Sequence, residues 1–428
     1  VNKSRKPSVF IHAGFRNLWI GQIISQFGDV LYALVFLWMV LAVTGDEGAV
    51  GIVGAAEALP YVLLSAYAGT IVDRYDRRVV LILSDLVSAA LVFGFLGILL
   101  FDPKPSLWVI CLFAFLLGSA NVFAGPARSA AIPRLVPDEQ LVEANALNST
   151  TQNAMPLAGN AVSAVFLHAI FTFSAALAYI ITFAFNAVSF LISAVFMARL
   201  PKMLPQREDT PKSALHDAIE GVKFVLHHPV LGPAMLVSLA MNFFIAPFMP
   251  AYVIVAQEKF KGTPGLLAML ETGFFLGMLV GSLLIFRVQI RRVGLAFSLW
   301  LSLASLTVIP MGYIESPYGF WALNFLCGIM IPLASVPLTT LIQLETPDGL
   351  RGRVNSALAM VASMVMPVGM ALSGLLIKQM GIEGIFIFMG AGLGISPLLA
   401  LFFPGYRQAM LPAGSEAGKS EESLPTGD

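Results

Sequence analysis

Charge is scarce in this chain: Asp, Glu, Lys and Arg make up 12 % of its 428 residues and hydrophobic residues 57 %, against about a quarter charged in ordinary soluble domains. A soluble globular domain is excluded, and a mean hydropathy of +0.83 points the same way. The formal net charge is +0, which removes the electrostatic case for a nucleic-acid partner. Cysteine is almost absent. Cys111 and Cys327 both fall in apolar runs, with no C-x-x-C pair and no disulfide framework. The five histidines, His12, His168, His216, His227 and His228, show no H-x-x-x-H or H-E-x-x-H spacing, so a zinc enzyme is not supported. A G-x-x-x-x-G-K-[ST] loop is missing too, which closes that route to ATP. The reading is a membrane protein that is not an enzyme and needs no bound cofactor.

What is present is long apolar runs. A helix crossing ~30 Å of hydrocarbon needs about 20 residues, and such runs occur near 18–43, 50–72, 79–100, 107–123, 147–170 and 174–197, then near 230–255, 265–286, 293–312, 318–341, 354–377 and 385–403. The first is too long for a signal-peptide core and contains Gln22, Gln26 and Asp29, so it reads as an uncleaved span. With the N-terminus placed in the cytoplasm, all but Lys104, Lys259, Lys261 and Lys378 of the 25 Lys and Arg residues fall on the inner side. That asymmetry predicts twelve spans with both termini cytoplasmic.

The longest polar interruption divides the chain. Residues 1–198 form a first six-helix unit, 199–228 a cytoplasmic linker, 229–404 a second six-helix unit and 405–428 a disordered tail rich in Gly, Ser, Glu and Pro. In the linker, Thr210-Pro211 predicts a helix start, and Leu215, Ile219, Val222 and Leu226 recur at helical spacing, giving a short amphipathic helix along the membrane face. The halves repeat: Pro137-Asp138 and Pro347-Asp348, Asn145 and Asn355, Gly118 and Gly328, and Ser163 and Ser373 recur at a common offset of 210 residues. A tandem duplication of six spans is a transporter architecture, with the substrate site between the halves near the bilayer midplane.

Two stretches carry a resemblance to a known family. The segment Gly69-Thr70-Ile71-Val72-Asp73-Arg74-Tyr75-Asp76-Arg77-Arg78 resembles the signature loop between the second and third helices of the major facilitator superfamily, with Asp76 where that family usually has a second glycine. Its plainer reading is an ordinary positively charged cytoplasmic loop. The segment from Gly125 to Leu147 resembles the stretch joining the fourth and fifth helices in the exporter branch that includes the enterobactin exporter and macrolide efflux pumps. The resemblance implies an all-α transmembrane fold of twelve helices in two six-helix bundles with pseudo-two-fold symmetry. It also implies a bacterial-type inner-membrane transporter, acting as a monomer among membrane lipids and exporting an amphipathic small molecule (drug, macrolide or siderophore) in exchange for H+. A lipid or lysophospholipid flippase is the alternative, and a non-transporting sensor or accessory protein a more distant one. Two departures weaken the antiport implication. Ala114 stands where many drug exporters have an arginine four residues before Gly118, and Met155-Pro156-Leu157-Ala158-Gly159-Asn160 keeps only part of a G-P-x-x-G-G core. In the charged loop the resemblance implies gating by Gly69, Asp73, Arg74, Arg77 and Arg78, with Asp73 meeting the N-terminus of the eleventh helix when the inside is closed.

Polar residues inside the spans are the remaining candidates. Gln22, Gln26, Asp29 and Phe36 lie along one face of the first helix, with Asp29 about 17 Å from its inner end and hence near mid-bilayer. Glu57 sits at a similar depth in the second helix, about 22 Å from the same surface. No Lys or Arg falls inside the first six apolar runs, so Asp29 and Glu57 are the expected proton-coupling pair, with hydrogen bonding by a neutral Glu57 as the bland alternative. Gln22, Gln26 and Phe36 are expected to line the substrate cavity with Asn148 and Gln152. These last two belong to a fifth-helix stripe, Asn145, Asn148, Gln152, Pro156, Gly159 and Ser163, for which cavity lining and helix packing both stay open. Gly273, Gly277 and Gly281 form a G-x-x-x-G face suited to close packing. Glu271 is expected at a wet rim, and Asp85 in a structural pairing with an arginine.

Overall fold

The computed structural model describes residues 9–204, 214–288, 290–347 and 350–411. Among these, eleven helices are long and apolar enough to cross a membrane. The last of them, within α14 (Arg351–Ala400, α1 to α13 being defined below), contains Gly381 at φ 73, ψ −179, which breaks it into two spans and brings the number to twelve.

The first bundle holds α1 (Ala13–Thr44), α2 (Glu47–Arg74), α3 (Arg77–Phe101), α4 (Leu107–Asn121), α5 (Ala124–Leu135), α6 (Leu141–Phe173) and α7 (Ala175–Ala198). Local chemistry ends and starts these helices. Gly45 terminates α1 in the left-handed region (φ 63), and Asp46 then caps α2 by accepting the Gly48 N–H at 2.9 Å. Ser174 caps α7 in the same way, accepting the Leu177 N–H. The fourth span departs from expectation. It turns at Val122-Phe123 and continues as α5, so most of the Gly125 to Leu147 segment is helical and not a loop.

The linker helix is present as α8 (Ala214–His227), while Thr210-Pro211 lies outside the described residues. The second bundle holds α9 (Leu231–Ile245), α10 (Phe248–Ile254), α11 (Pro264–Leu284), α12 (Val293–Met311), α13 (Pro317–Glu345) and α14. Together α9 and α10 make one span, interrupted where Pro247 and Pro250 remove two backbone donors. The chain after Pro404 does not become irregular at once: a short helix, Pro404–Gln408, buries Tyr406, and the Leu411 N–H bonds to the Arg291 carbonyl at 2.9 Å.

Within each bundle the helices meet where side chains vanish. A Cβ on Gly118 of α4 would collide with the Glu57 carbonyl of α2, and one on its repeat partner Gly328 of α13 would collide with the Phe274 carbonyl of α11. Gly277 and Gly281 let α11 lie against the backbone of α13, as the small-residue face predicts. Aromatic rings fill the rest. Phe36, Phe95, Phe113 and Phe183 interlock in the first bundle, and Tyr252, Phe320 and Phe386 in the second.

Candidate functional site

The bundles pack closely on each other at one end. At the end remote from the arginine-rich loops, Gly51 of α2 packs on the Met370 carbonyl and the Gly374 N–H of α14, and Gly374 packs back on Gly48. On the other side of the molecule, Gly265 of α11 packs on Ala164 and His168 of α6, and His168 Nδ1 lies 3.3 Å from Thr263 Oγ1. Just inside that seam Asn160 Nδ2 donates to Glu271 Oε2 at 2.8 Å.

The arginine-rich end is different. A Cβ on Gly69 would meet nothing within 4 Å, and Asp73 and Arg74 are exposed without an ion pair among the described residues. The other loop residues bind their own bundle. Arg78 Nη2 donates to the Ala198 carbonyl at 2.6 Å and the Arg77 N–H to the Met203 carbonyl at 3.5 Å. The α6 stripe follows the same gradient, from exposed Asn145 and Gln152 through half-buried Asn148 to buried Gly159 and Ser163. The stripe is thus packed at one end and exposed at the other.

Between these ends lies a polar group built on α1. Gly28 admits Asn186 and Ser189 of α7 against the α1 backbone, which brings the Asn186 side chain beside Asp29. No well-formed hydrogen bond results, and Asn186 Nδ2 stays unpaired. Asp29 is half-buried and within electrostatic reach of Glu57, Asp85 and Arg128. Gln22 is buried with Nε2 unpaired, and Gln26, half-buried, leaves Oε1 unpaired. Tyr32, buried with a free hydroxyl, borders Asp29 and Glu57. Orphaned polar atoms at this density are costly in a dry interior and mark a place for water or a ligand.

Arg128 overturns one expectation. The first six spans are not free of cations, because the α5 extension carries Arg128 inward, where it faces both Asp85 and Asp29 with its Nε buried and unpaired. Asp85, buried at 8 % exposure, thus has the arginine neighbour foreseen for it, together with Ser193. Periodicity carried a signal for this, since Ala127, Ala131, Ile132 and Leu135 bury one face of α5. Phe36 also departs: it is fully buried in the aromatic core, against Phe113 and Phe183. Glu271 is not at a wet rim but 9 % exposed, inside the bundle.

The chain matches the sequence model of the Major Facilitator Superfamily over residues 18–368 and again over 231–425. It is 26 % identical over 384 residues to macrolide efflux protein A of Streptococcus pyogenes, covering 88 % of this chain and 92 % of that one. It is 25 % identical over 425 residues to the multidrug efflux pump Tap of Mycobacterium tuberculosis, covering 95 % and 96 %. Among solved structures, a bacterial homologue of the iron transporter ferroportin in an inward-facing state superposes with a TM-score of 0.67 at 15 % identity, covering 91 % and 98 %. A bacterial homologue of the lysosomal transporter Spinster, inward-facing and unoccupied, gives 0.62 at 15 %, covering 94 % and 96 %. At these identities the two structures speak for the fold alone.

Proposed function

Since the chain belongs to the Major Facilitator Superfamily, we propose that it exports an amphipathic small molecule of the drug or macrolide kind by alternating access, driven by proton entry. We place it in a bacterial-type inner membrane, and the excess of Lys and Arg supports an orientation with the arginine-rich end and both termini in the cytoplasm. On that orientation the α2/α14 and α6/α11 seams lie on the outer side, which suits a form closed outside.

One observation carries the coupling reading: two carboxyl groups, Asp29 and Asp85, share a single guanidinium, Arg128, and a third, Glu57, stands within electrostatic reach of Asp29. One cation cannot balance three anions away from bulk water, so the group holds a proton or a cationic part of the substrate. Exchanging one occupant for the other between the two openings is antiport. Gln22, Gln26, Asn148 and Gln152 offer amides along the path. A monomer suffices, since the polar group is complete within one chain.

The test is accumulation of a macrolide and of a fluorescent drug in a pump-deficient bacterial host expressing the protein, with and without a proton uncoupler. Lowered accumulation that the uncoupler restores is expected. Accumulation unchanged by expression across a panel of toxic compounds would falsify the export reading, and lowering that survives the uncoupler would exclude proton drive.

A further inference from the structure

A second feature lies apart from the Asp29 group. A cavity of about 400 Å³ opens inside the second bundle, between α9/α10, α11, α12, α13 and α14, within the size range of pockets that hold drug-sized ligands. Its wall includes Phe248, Tyr252, Phe274, Met366 and Met370, rings and thioethers that adapt to bulky apolar shapes. Glu271 is the one carboxylate in that wall.

The polar groups around it are spent, with one exception. The Tyr252 hydroxyl donates to Asn324 Oδ1 at 2.5 Å, and Asn324 Nδ2 donates to the Leu270 carbonyl at 2.8 Å. Glu271 Oε2 is taken by Asn160. Glu271 Oε1 is buried with no hydrogen-bond partner, and no Lys or Arg pairs with this carboxylate among the described residues. The wall therefore holds a carboxylate with one oxygen unpaired and several ring faces, both of which attract a cation.

We propose that this cavity is a subsite for an amphipathic monocation, with the cationic head on Glu271 Oε1 and the apolar body between Phe248, Phe274, Met366 and Met370. It rests on the export reading above and adds a substrate class and an anchor. The anchor also touches the seam between bundles, because the same carboxylate receives Asn160 from α6. A bound head group thus sits one carboxylate away from a contact that must part when the outer side opens.

The test is equilibrium binding to the purified full chain in lipid nanodiscs. The probes are a dansyl-alkyl trimethylammonium, whose charge is independent of pH, and its neutral tert-butyl isostere. Wild type is expected to bind the cation at least tenfold more tightly than the isostere. Glu271→Gln should bring the two within about twofold while leaving the neutral affinity in place. Should Glu271→Gln not fold, Glu271→Asp, which keeps the charge but withdraws it by one methylene, should weaken the cation several-fold and spare the isostere. Equal wild-type affinities, selectivity kept in Glu271→Gln, or parallel loss of both probes would each overturn the subsite. A wild type that exports drugs but shows no cation preference overturns the subsite alone, and one that binds the cation but exports nothing overturns the export reading alone.

Discussion

Asp76 holds two backbone N–H groups on one carboxylate oxygen: its Oδ1 lies 3.0 Å from the Arg78 nitrogen and 3.0 Å from that of Met203. The first bond caps α3, and the second fastens the chain leaving α7 to the start of α3. The residue that departs from the family's glycine thus ties the charged loop to its own bundle. Losing an N-cap costs about 0.5–2 kcal/mol. Asp76→Gly is therefore expected to lower thermal stability in detergent by an amount of that order, whereas Asp76→Asn, which keeps an acceptor at Oδ1, should stay near wild type. Equal melting of the two variants would show that this oxygen holds nothing together.

Asp73 is exposed and has no ion pair among the described residues, outside which the side chain of Arg351 lies. In the closed state it is expected to meet the positive N-terminus of α14, near Arg351. If that contact stabilises the outward-open state by ~1 to 3 kcal/mol, the usual size of a coupling between sites, Asp73→Asn should shift the population toward the form seen here. Gln152→Cys, on the exposed part of α6, supplies the reporter. Its labelling by a membrane-impermeant thiol reagent from the cytoplasmic side should quicken in the Asp73→Asn background, with expression unchanged. An unaltered labelling rate would remove Asp73 from the gate.

Twelve spans were legible because each is an apolar run long enough to cross hydrocarbon, and the duplication because Gly118 and Gly328 share both an offset and a packing task. Which face of a span looks inward was much less legible. In α1, lipid-facing and core-facing positions are both apolar, so periodicity could not separate the cavity side from the aromatic core that encloses Phe36. The α5 helix was missed because Ala, Gly, Pro and Arg do not read as an apolar run, although its buried face repeats at helical spacing. Glu271 was misplaced because its burial depends on Asn160 in the other half of the chain, a pairing that no local pattern reports.

The sharpest prediction concerns the shared guanidinium. Arg128 faces Asp85 and Asp29, and the two carboxylates are expected to have different tasks. Asp85 also interacts with Ser193 and lies toward the arginine-rich end of α3, which suits a fixed partner. Asp29 is half-buried beside unpaired amides, which suits a group that changes state. Removing one member of a buried pair leaves an uncompensated charge, at a cost of about 3–5 kcal/mol. Arg128→Gln should therefore reduce the folded yield, and Asp85→Asn in the same chain should restore it, while Asp29→Asn should not. In otherwise wild-type protein reconstituted in proteoliposomes, Asp29→Asn is expected to abolish uphill, pH-driven flux yet permit downhill exchange of substrate. Glu57→Gln should have a smaller, substrate-dependent effect. Restoration of the Arg128→Gln yield by Asp29→Asn would make Asp29 the structural partner, and uphill accumulation by Asp29→Asn with the wild-type pH profile would show that it does not carry the coupling proton.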